Sequence, residues 1–340
     1  MGLRSCALAV SVAAGLLLPS GAGARTWAAP SPLGPGESTY LVQSLPLGGA
    51  GGLISVYQRI GPAGSEIVAR TTDAVGDFGE AQVLGPARSF FPALAADAAG
   101  EAAAAWYQES DNSIRVSLRA PGAAFDDPTI LASAAAGYSQ QAPRLAASPL
   151  GWMAVLYLDD RGDGQRAYVS VRPPGGSFGP GLPVAPVVGN DAQMPRSVAV
   201  DDAGEVVAGY LQGGVAQVVV RSPGPLGTWA APQSLGRPNL GSSWNLPEVG
   251  IDAAGGAVAI WEEDGGDNRI APLQAAFRAP GDSFGSPQSL GVDSWDGETP
   301  ALGVSGLGEV ILVARPTIQE TGGLGLDPLV VLSGSTVLGR

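Results

Sequence analysis

Asp97-Ala98-Ala99-Gly100, followed six residues later by Trp106, returns as Asp252-Ala253-Ala254-Gly255, followed six residues later by Trp261. The same spacing links Gly204 of Asp201-Asp202-Ala203-Gly204 to Tyr210, and Gly151 of Ser148-Pro149-Leu150-Gly151 to Tyr157. Fainter copies run from Gly51 to Tyr57 and from Gly308 to Ala314. A proline opens five of the units, at Pro92, Pro143, Pro195, Pro247 and Pro300, 51 to 53 residues apart. A fixed period of this length marks a repeat architecture.

Each unit carries more than the turn. A polar loop follows the aromatic, then an alternating run that closes on Arg119, Arg172, Arg221 or Arg278. Pro and Gly come next, then an aromatic at Phe78, Phe125, Phe178, Trp229 or Phe284, then a short apolar segment such as Pro232-Gln233-Ser234-Leu235. Every unit therefore holds four short apolar segments separated by Gly, Pro or Asp turns. Five to seven residues with two-residue alternation are strands. Ala102-Ala103-Ala104-Ala105 favours helix in isolation, but its counterparts Val206-Val207 and Val310-Ile311-Leu312 are strand formers. Four antiparallel strands per unit, repeated six times, predict an all-β chain: a six-bladed β-propeller of four-stranded antiparallel blades. The repeats run 38–87, 88–136, 137–189, 190–239, 240–293 and 294–340.

The sixth unit lacks the Arg, the Pro-Gly turn and the aromatic. The missing piece stands at the other end of the chain, where Thr26-Trp27-Ala28-Ala29-Pro30 repeats Thr228-Trp229-Ala230-Ala231-Pro232. Residues 27–33 are expected to complete the last blade as its outer strand, closing the ring and removing an open sheet edge. A rival closure uses Thr336 to Gly339, which resembles Gln82 to Gly85.

Composition narrows the chemistry. The chain of 340 residues has no His, all 18 basic residues are Arg, and the single cysteine is Cys6. That excludes Ser-His-Asp and Cys-His catalysis, lysine Schiff bases, the P-loop lysine and disulfide frameworks. A net charge of −13 argues against nucleic acid and anionic membranes. Residues 1–24 read as a secretory leader: Arg4, an apolar run from Ala7 to Leu18, Pro19, then Ala22-Gly23-Ala24 before the cut. The expectation is a secreted, extracellular protein of residues 25–340, monomeric, with no membrane anchor.

Strands in a blade run outward from the axis, alternately down and up. One face should then hold the Asp turns and the Arg ends, pairing Asp97 with Arg119, Asp201 with Arg221 and Asp252 with Arg278 as a structural device. The opposite face carries the loops between second and third strands and the blade-to-blade links. Its acids, including Glu109, Asp111, Asp159, Asp163, Glu262 and Glu263, read as a solvated rim or as a site for a cation or polar ligand. Asp159-x-x-x-Asp163-Gly164 has the outline of a calcium loop, but Arg161 stands where a third oxygen ligand belongs. No cofactor is expected; calcium is the one cation the pattern admits, with Asp159 and Asp163 as its ligands. The links supply Phe90, Phe91, Tyr138, Trp244 and Trp295, aromatics that either stack on sugar rings or plug the seams between blades. Arg144, Arg196 and Glu248 each follow a blade-opening proline, which puts them near the axial mouth, either binding a small polar ligand or pairing with one another.

The Pro, Asp-x-x-Gly, Trp, Arg-x-Pro-Gly, Phe order resembles the repeats of secreted bacterial β-propeller proteins over nearly the whole mature chain. A weaker likeness is to sialidase-type propellers, of whose Asp-box only Gly227-Thr228-Trp229 has an echo here. Six-bladed fucose-binding lectins are similar in size and blade number, and that likeness implies sugar binding between blades. The reading is a non-enzymatic binding module whose partner is carbohydrate or an extracellular protein, engaged through the loop-rich face. The alternatives are a carboxylate-based, sialidase-like glycan hydrolase and a protein–protein scaffold.

Overall fold

A computed structural model describes residues 38–47, 52–61, 64–72, 77–133, 142–160, 165–186, 193–238, 247–263, 270–295, 300–314 and 330–336. All regular structure in them is β. The first sheet holds β1 (Ser38–Pro46), β2 (Leu53–Gly61), β3 (Gly64–Thr71) and β4 (Gln82–Gly85). The second holds β5 (Ser89–Ala96), β6 (Ala102–Gln108), β7 (Ser113–Arg119) and β8 (Thr129–Ser133). The third holds β9 (Arg144–Ala147), β10 (Met153–Asp160), β11 (Gln165–Arg172) and β12 (Leu182–Pro183). The fourth holds β13 (Gln193–Val200), β14 (Val206–Gln212), β15 (Val215–Arg221) and β16 (Gln233–Gly236). The fifth holds β17 (Glu248–Ile251), β18 (Ala257–Glu262), β19 (Ile270–Arg278) and β20 (Gln288–Trp295). The sixth has three described strands, β21 (Ala301–Val304), β22 (Glu309–Ala314) and β23 (Val330–Ser335).

Every pairing is antiparallel between sequence neighbours, and the first strand of each sheet touches the first strand of the next, from β1 through β5, β9, β13 and β17 to β21. This is a six-bladed β-propeller. The expected closing strand, 27–33, lies outside the described residues, as do the leader and most of the rival segment. Of the latter only Thr336 is described, and it is not edge-like. Its side chain is buried, and its hydroxyl donates to Asp252 of the fifth blade.

The core lies between blades, not within them. Alternation along a strand sends successive side chains to opposite faces. On β6, Ala102, Ala104 and Trp106 join Ile54, Val56 and Ile67 of the first blade, whereas Ala103, Ala105 and Tyr107 join Met153, Val155 and Tyr157 of the third. Four consecutive alanines are thus a strand buried on both faces, and tertiary context overrides helix propensity. In four blades the repeat aromatic points back: Trp106, Tyr157, Tyr210 and Trp261 each pack against the preceding blade. On β22 only Val310, Leu312 and Ala314 join a described cluster, with Val258 and Ile260 of the fifth blade. Ile311, on the other face, is 43% exposed.

Candidate functional site

On the lower face the turn aspartates act locally. Asp201 Oδ1 accepts the amides of Ala203 and Glu205 at 2.9 and 2.7 Å. Asp252 Oδ1 accepts those of Ala254 and Gly256, both at 2.8 Å, and Asp97 Oδ1 accepts that of Glu101 at 2.8 Å. The turn ends on Gly100, Gly204 or Gly255 at φ of 87, 79 and 88°, where a side chain is disfavoured.

The expected pairs Asp97–Arg119, Asp201–Arg221 and Asp252–Arg278 do not form. The aspartate is turned into its own loop, and the arginine reaches back one blade to the residue after that blade's turn glycine. Arg172 makes a two-pronged contact with Glu101 at 3.0 and 2.5 Å, and Arg278 grips Glu205. Where that position holds Gly52 or Trp152, the arginine of the next blade turns to carbonyl oxygens instead. Arg119 reaches Gly100, and Arg221 reaches Gly224 and Pro225. Burial without a carboxylate lowers the pKa of both. The lower face is a structural ring.

At the opposite end the inner strands begin. Arg144 opens β9, Arg196 follows Pro195 near the start of β13, and Glu248 opens β17, so three successive blades carry a charged residue at or near the start of the first strand. Arg144 and Glu248 sit directly opposite Leu156 and Ile260, each five residues beyond its turn glycine. In the fourth blade that register belongs to Ser197, because a bulge between Pro195 and Ser197 adds Arg196 to the strand. The first, second and sixth blades place Gln43, Ala93 and Ala301 there.

Side chains at this level stitch blade to blade. The Leu94 amide donates to Gln43 Oε1 at 2.7 Å, Arg144 Nε donates to the Arg196 carbonyl at 2.7 Å, and Ser197 Oγ donates to the Pro247 carbonyl at 2.8 Å. Arg144 and Glu248 are half-buried and Arg196 is buried. Desolvation pushes the Glu248 carboxyl up to about 8 against the opposing pull of Arg144. Desolvation and the neighbouring Arg144 lower Arg196 to about 10, and desolvation lowers Arg144 despite Glu248. Arg144 thus stands between a second guanidinium, Arg196, and a carboxyl, Glu248, that is largely protonated at neutral pH, a net positive group in an otherwise acidic protein. Guanidinium forks suit carboxylate and sulfate oxygens.

The other candidates scatter. Phe90 and Phe91 lie near the start of β5, not in a link, with ring centroids 6.0 Å apart. Phe90 packs into the seam between the second and third blades, while Phe91 is exposed at φ 58° and its amide donates to Gln58. Trp295 ends β20 opposite Ile270 and so belongs to the fifth blade's outer strand. Tyr138, Trp244 and Asp163 lie outside the described residues. Asp159 is buried at the end of β10, opposite Arg166. Among the described residues no three acids gather as metal ligands. The rim acids are engaged inside their own blades: Glu109 pairs with Arg88, Asp111 with Arg115, and Glu263 accepts the Trp261 indole N–H. Sequence reasoning missed Glu101 and Glu205 as ion-pair partners, although their place one residue after the turn glycine was a readable signal.

No known family and no curated protein matches this chain by sequence. Solved structures match its shape. A protein of unknown function from Dyadobacter fermentans is 12% identical with a TM-score of 0.52, covering 87% of this chain and 94% of that one. A polysaccharide lyase described as an ulvan lyase is 10% identical with a TM-score of 0.51, covering 81% and 79%. The Aleuria aurantia lectin, a six-bladed β-propeller, covers 88% and 97% at 12% identity and a TM-score of 0.44. At these identities the likeness is one of fold.

Proposed function

We propose that this protein is a secreted, non-enzymatic carbohydrate-binding module that takes an acidic sugar at the axial mouth of its loop-rich face. The observation that carries the reading is that Arg144 lies beside both Arg196 and Glu248, the three coming from the first strands of three successive blades. A uronate carboxylate or a sulfate would be met by two guanidinium forks. The neutral Glu248 carboxyl would donate a hydrogen bond without repelling the anion. Phe91, exposed one residue before the blade-opening Pro92, offers a ring on which a sugar could stack. At the level of fold, the ulvan lyase neighbour has been solved bound to a glucuronate–rhamnose sulfate chain, at 9% identity and a TM-score of 0.50 over 78% of this chain and 75% of that one.

The test is an array of neutral, uronate-bearing and sulfated oligosaccharides, probed with and without calcium. Binding should be confined to the acidic sugars and should fall at least roughly tenfold in Arg196→Gln, the loss of one charged hydrogen bond. Binding of neutral sugars alone, or a blank array in both conditions, overturns the reading and leaves a protein partner as the occupant of this face.

Glu248 favours a second reading, as the proton donor of a glycan-active enzyme, because a carboxyl titrating near 8 is still an acid at neutral pH. Release of shortened products from a bound polysaccharide, abolished by Glu248→Gln, would establish it. Intact polysaccharide after prolonged incubation would remove it.

A further inference from the structure

The three most exposed large apolar side chains among the described residues all stand on turns of the lower face: Leu226 at 92%, Leu307 at 81% and Leu150 at 65%. Leu150 and Leu307 hold the same place in their blades, the tip of the turn between the first and second strands, in the third blade and the sixth. Three blades separate them, so they stand on opposite sides of the six-bladed ring. The blade before each carries two alanines at that tip, Ala98 and Ala99 in the second and Ala253 and Ala254 in the fifth, all exposed. Large and small tips are neighbours, because the Ala98 amide donates to the Pro149 carbonyl at 3.2 Å and the Ala253 amide to the Gly306 carbonyl at 3.3 Å.

Charge is withdrawn from these tips. Asp97, Asp201 and Asp252 turn into their own loops, Asp202 Oδ1 accepts the Leu150 amide at 2.9 Å, and Glu101 and Glu205 are held by Arg172 and Arg278. Among the described acids of these turns only Glu309 is exposed. Two copies of a chain of net charge −13 repel each other, and they repel least across a face whose acids are already spent.

We propose that the lower face joins two copies of this chain, back to back. Turning one ring over reverses the order of its blades. A two-fold axis parallel to the rings, under the seam between second and third blades and the seam between fifth and sixth, then sets each third blade against the partner's second and each sixth against the partner's fifth. Leu150 of each copy seats on Ala98 and Ala99 of the other, and Leu307 on Ala253 and Ala254. The same patch serves both copies, as a closed two-fold interface requires, and the exposed leucines leave water. The loop-rich face of each copy stays free, so the inference does not depend on what binds there.

Sedimentation of the purified protein at up to about 0.1 mM tests this. A species of twice the chain mass should form, and it should tighten as salt rises, because salt screens the repulsion between the two acidic copies. Leu150→Glu combined with Leu307→Glu should weaken association at least roughly tenfold. Ile130→Glu, at a site 53% exposed but on the outer strand β8, should leave it intact. The register has its own test. Mixing the double glutamate variant with one carrying Ala98→Arg and Ala253→Arg should give a heterodimer tighter than either variant's self-association, since each new Glu then meets a new Arg. All these positions are exposed, so melting temperatures should not move. A monomer at every salt concentration, the state expected from the sequence, would overturn the proposal. So would a dimer that the two glutamates leave unchanged, or a mixture that gains nothing over its components.

Discussion

Arg278 of the fifth blade holds Glu205 of the fourth, with Nη1 2.5 Å from Oε1 and Nη2 3.3 Å from Oε2. The same Nη1 donates to the Gly255 carbonyl at 2.7 Å, so one guanidinium ties a side chain and a turn of two blades together. Their side chains are 4% and 12% exposed, which places the pair among buried ion pairs, not surface ones.

Removing one partner of such a pair leaves the other charge stranded. Arg278→Ala should destabilise the protein by ~3 kcal/mol. Glu205→Gln, which keeps an acceptor, should cost less. Chemical denaturation of the two variants and their double mutant checks this. Additive losses would show that the pair is not coupled.

Asp252 gathers three donors: the Ala254 and Gly256 amides on one oxygen and the Thr336 hydroxyl on the other. Asp252→Ala orphans the two amides and leaves the hydroxyl only the Gly308 carbonyl, 3.3 Å away, and should cost about 2–3 kcal/mol. Thr336→Val removes only one and should cost about 1 kcal/mol. Equal shifts in the denaturation midpoint would mean that the two turn amides find other partners.

Two glycines separate backbone strain from crowding. Gly204, at φ 79°, would place a Cβ 2.7 Å from the Trp152 ring, whereas Gly224, at φ 86°, would meet nothing within 4 Å. Gly224→Ala should therefore cost about 1 kcal/mol, the left-handed penalty alone. Gly204→Ala should add roughly 1–3 kcal/mol for displacing the indole. Midpoints that coincide would sink the crowding argument.

The titration of Glu248 gives a pH signature. Its folded pKa, about 8, lies above the ordinary 4.5, so between those values the native state holds a proton that the unfolded chain releases. Stability from this group is complete below pH 4.5 and falls as pH rises through 8. Glu248→Gln should flatten that decline. Melting temperatures of both proteins at pH 5, 6.5 and 8 test it, and parallel curves would place the decline elsewhere.

The repeat, the strand count per unit and the position of the aromatics were legible because each is a property of one blade read along the chain. Trp106 and Trp261 had to be inward-facing strand residues whatever surrounded them. The partner of Arg278 was not legible in the same way. Periodicity places Asp252 and Arg278 at the same end of one blade, but the direction in which an arginine leans at a strand end is set by the neighbouring sheet. The charged level at Arg144, Arg196 and Glu248 followed from the blade-opening prolines. The bulge that adds Arg196 to its strand did not, since a register shift leaves no trace in residue types alone.

The residue after each turn glycine reads Gly52, Glu101, Trp152, Glu205, Gly256 and Glu309 around the ring. Acid and non-acid alternate, so in this charge pattern the unit is a couple of blades, and two of the acids, Glu101 and Glu205, are gripped by Arg172 and Arg278 of the next blade. Losing the fourth blade alone would leave Arg278 facing Trp152. Losing the third and fourth together would bring Arg278 to Glu101, an ion-pair partner of the kind it already has. Changes in blade number that respect this charge pattern come in twos.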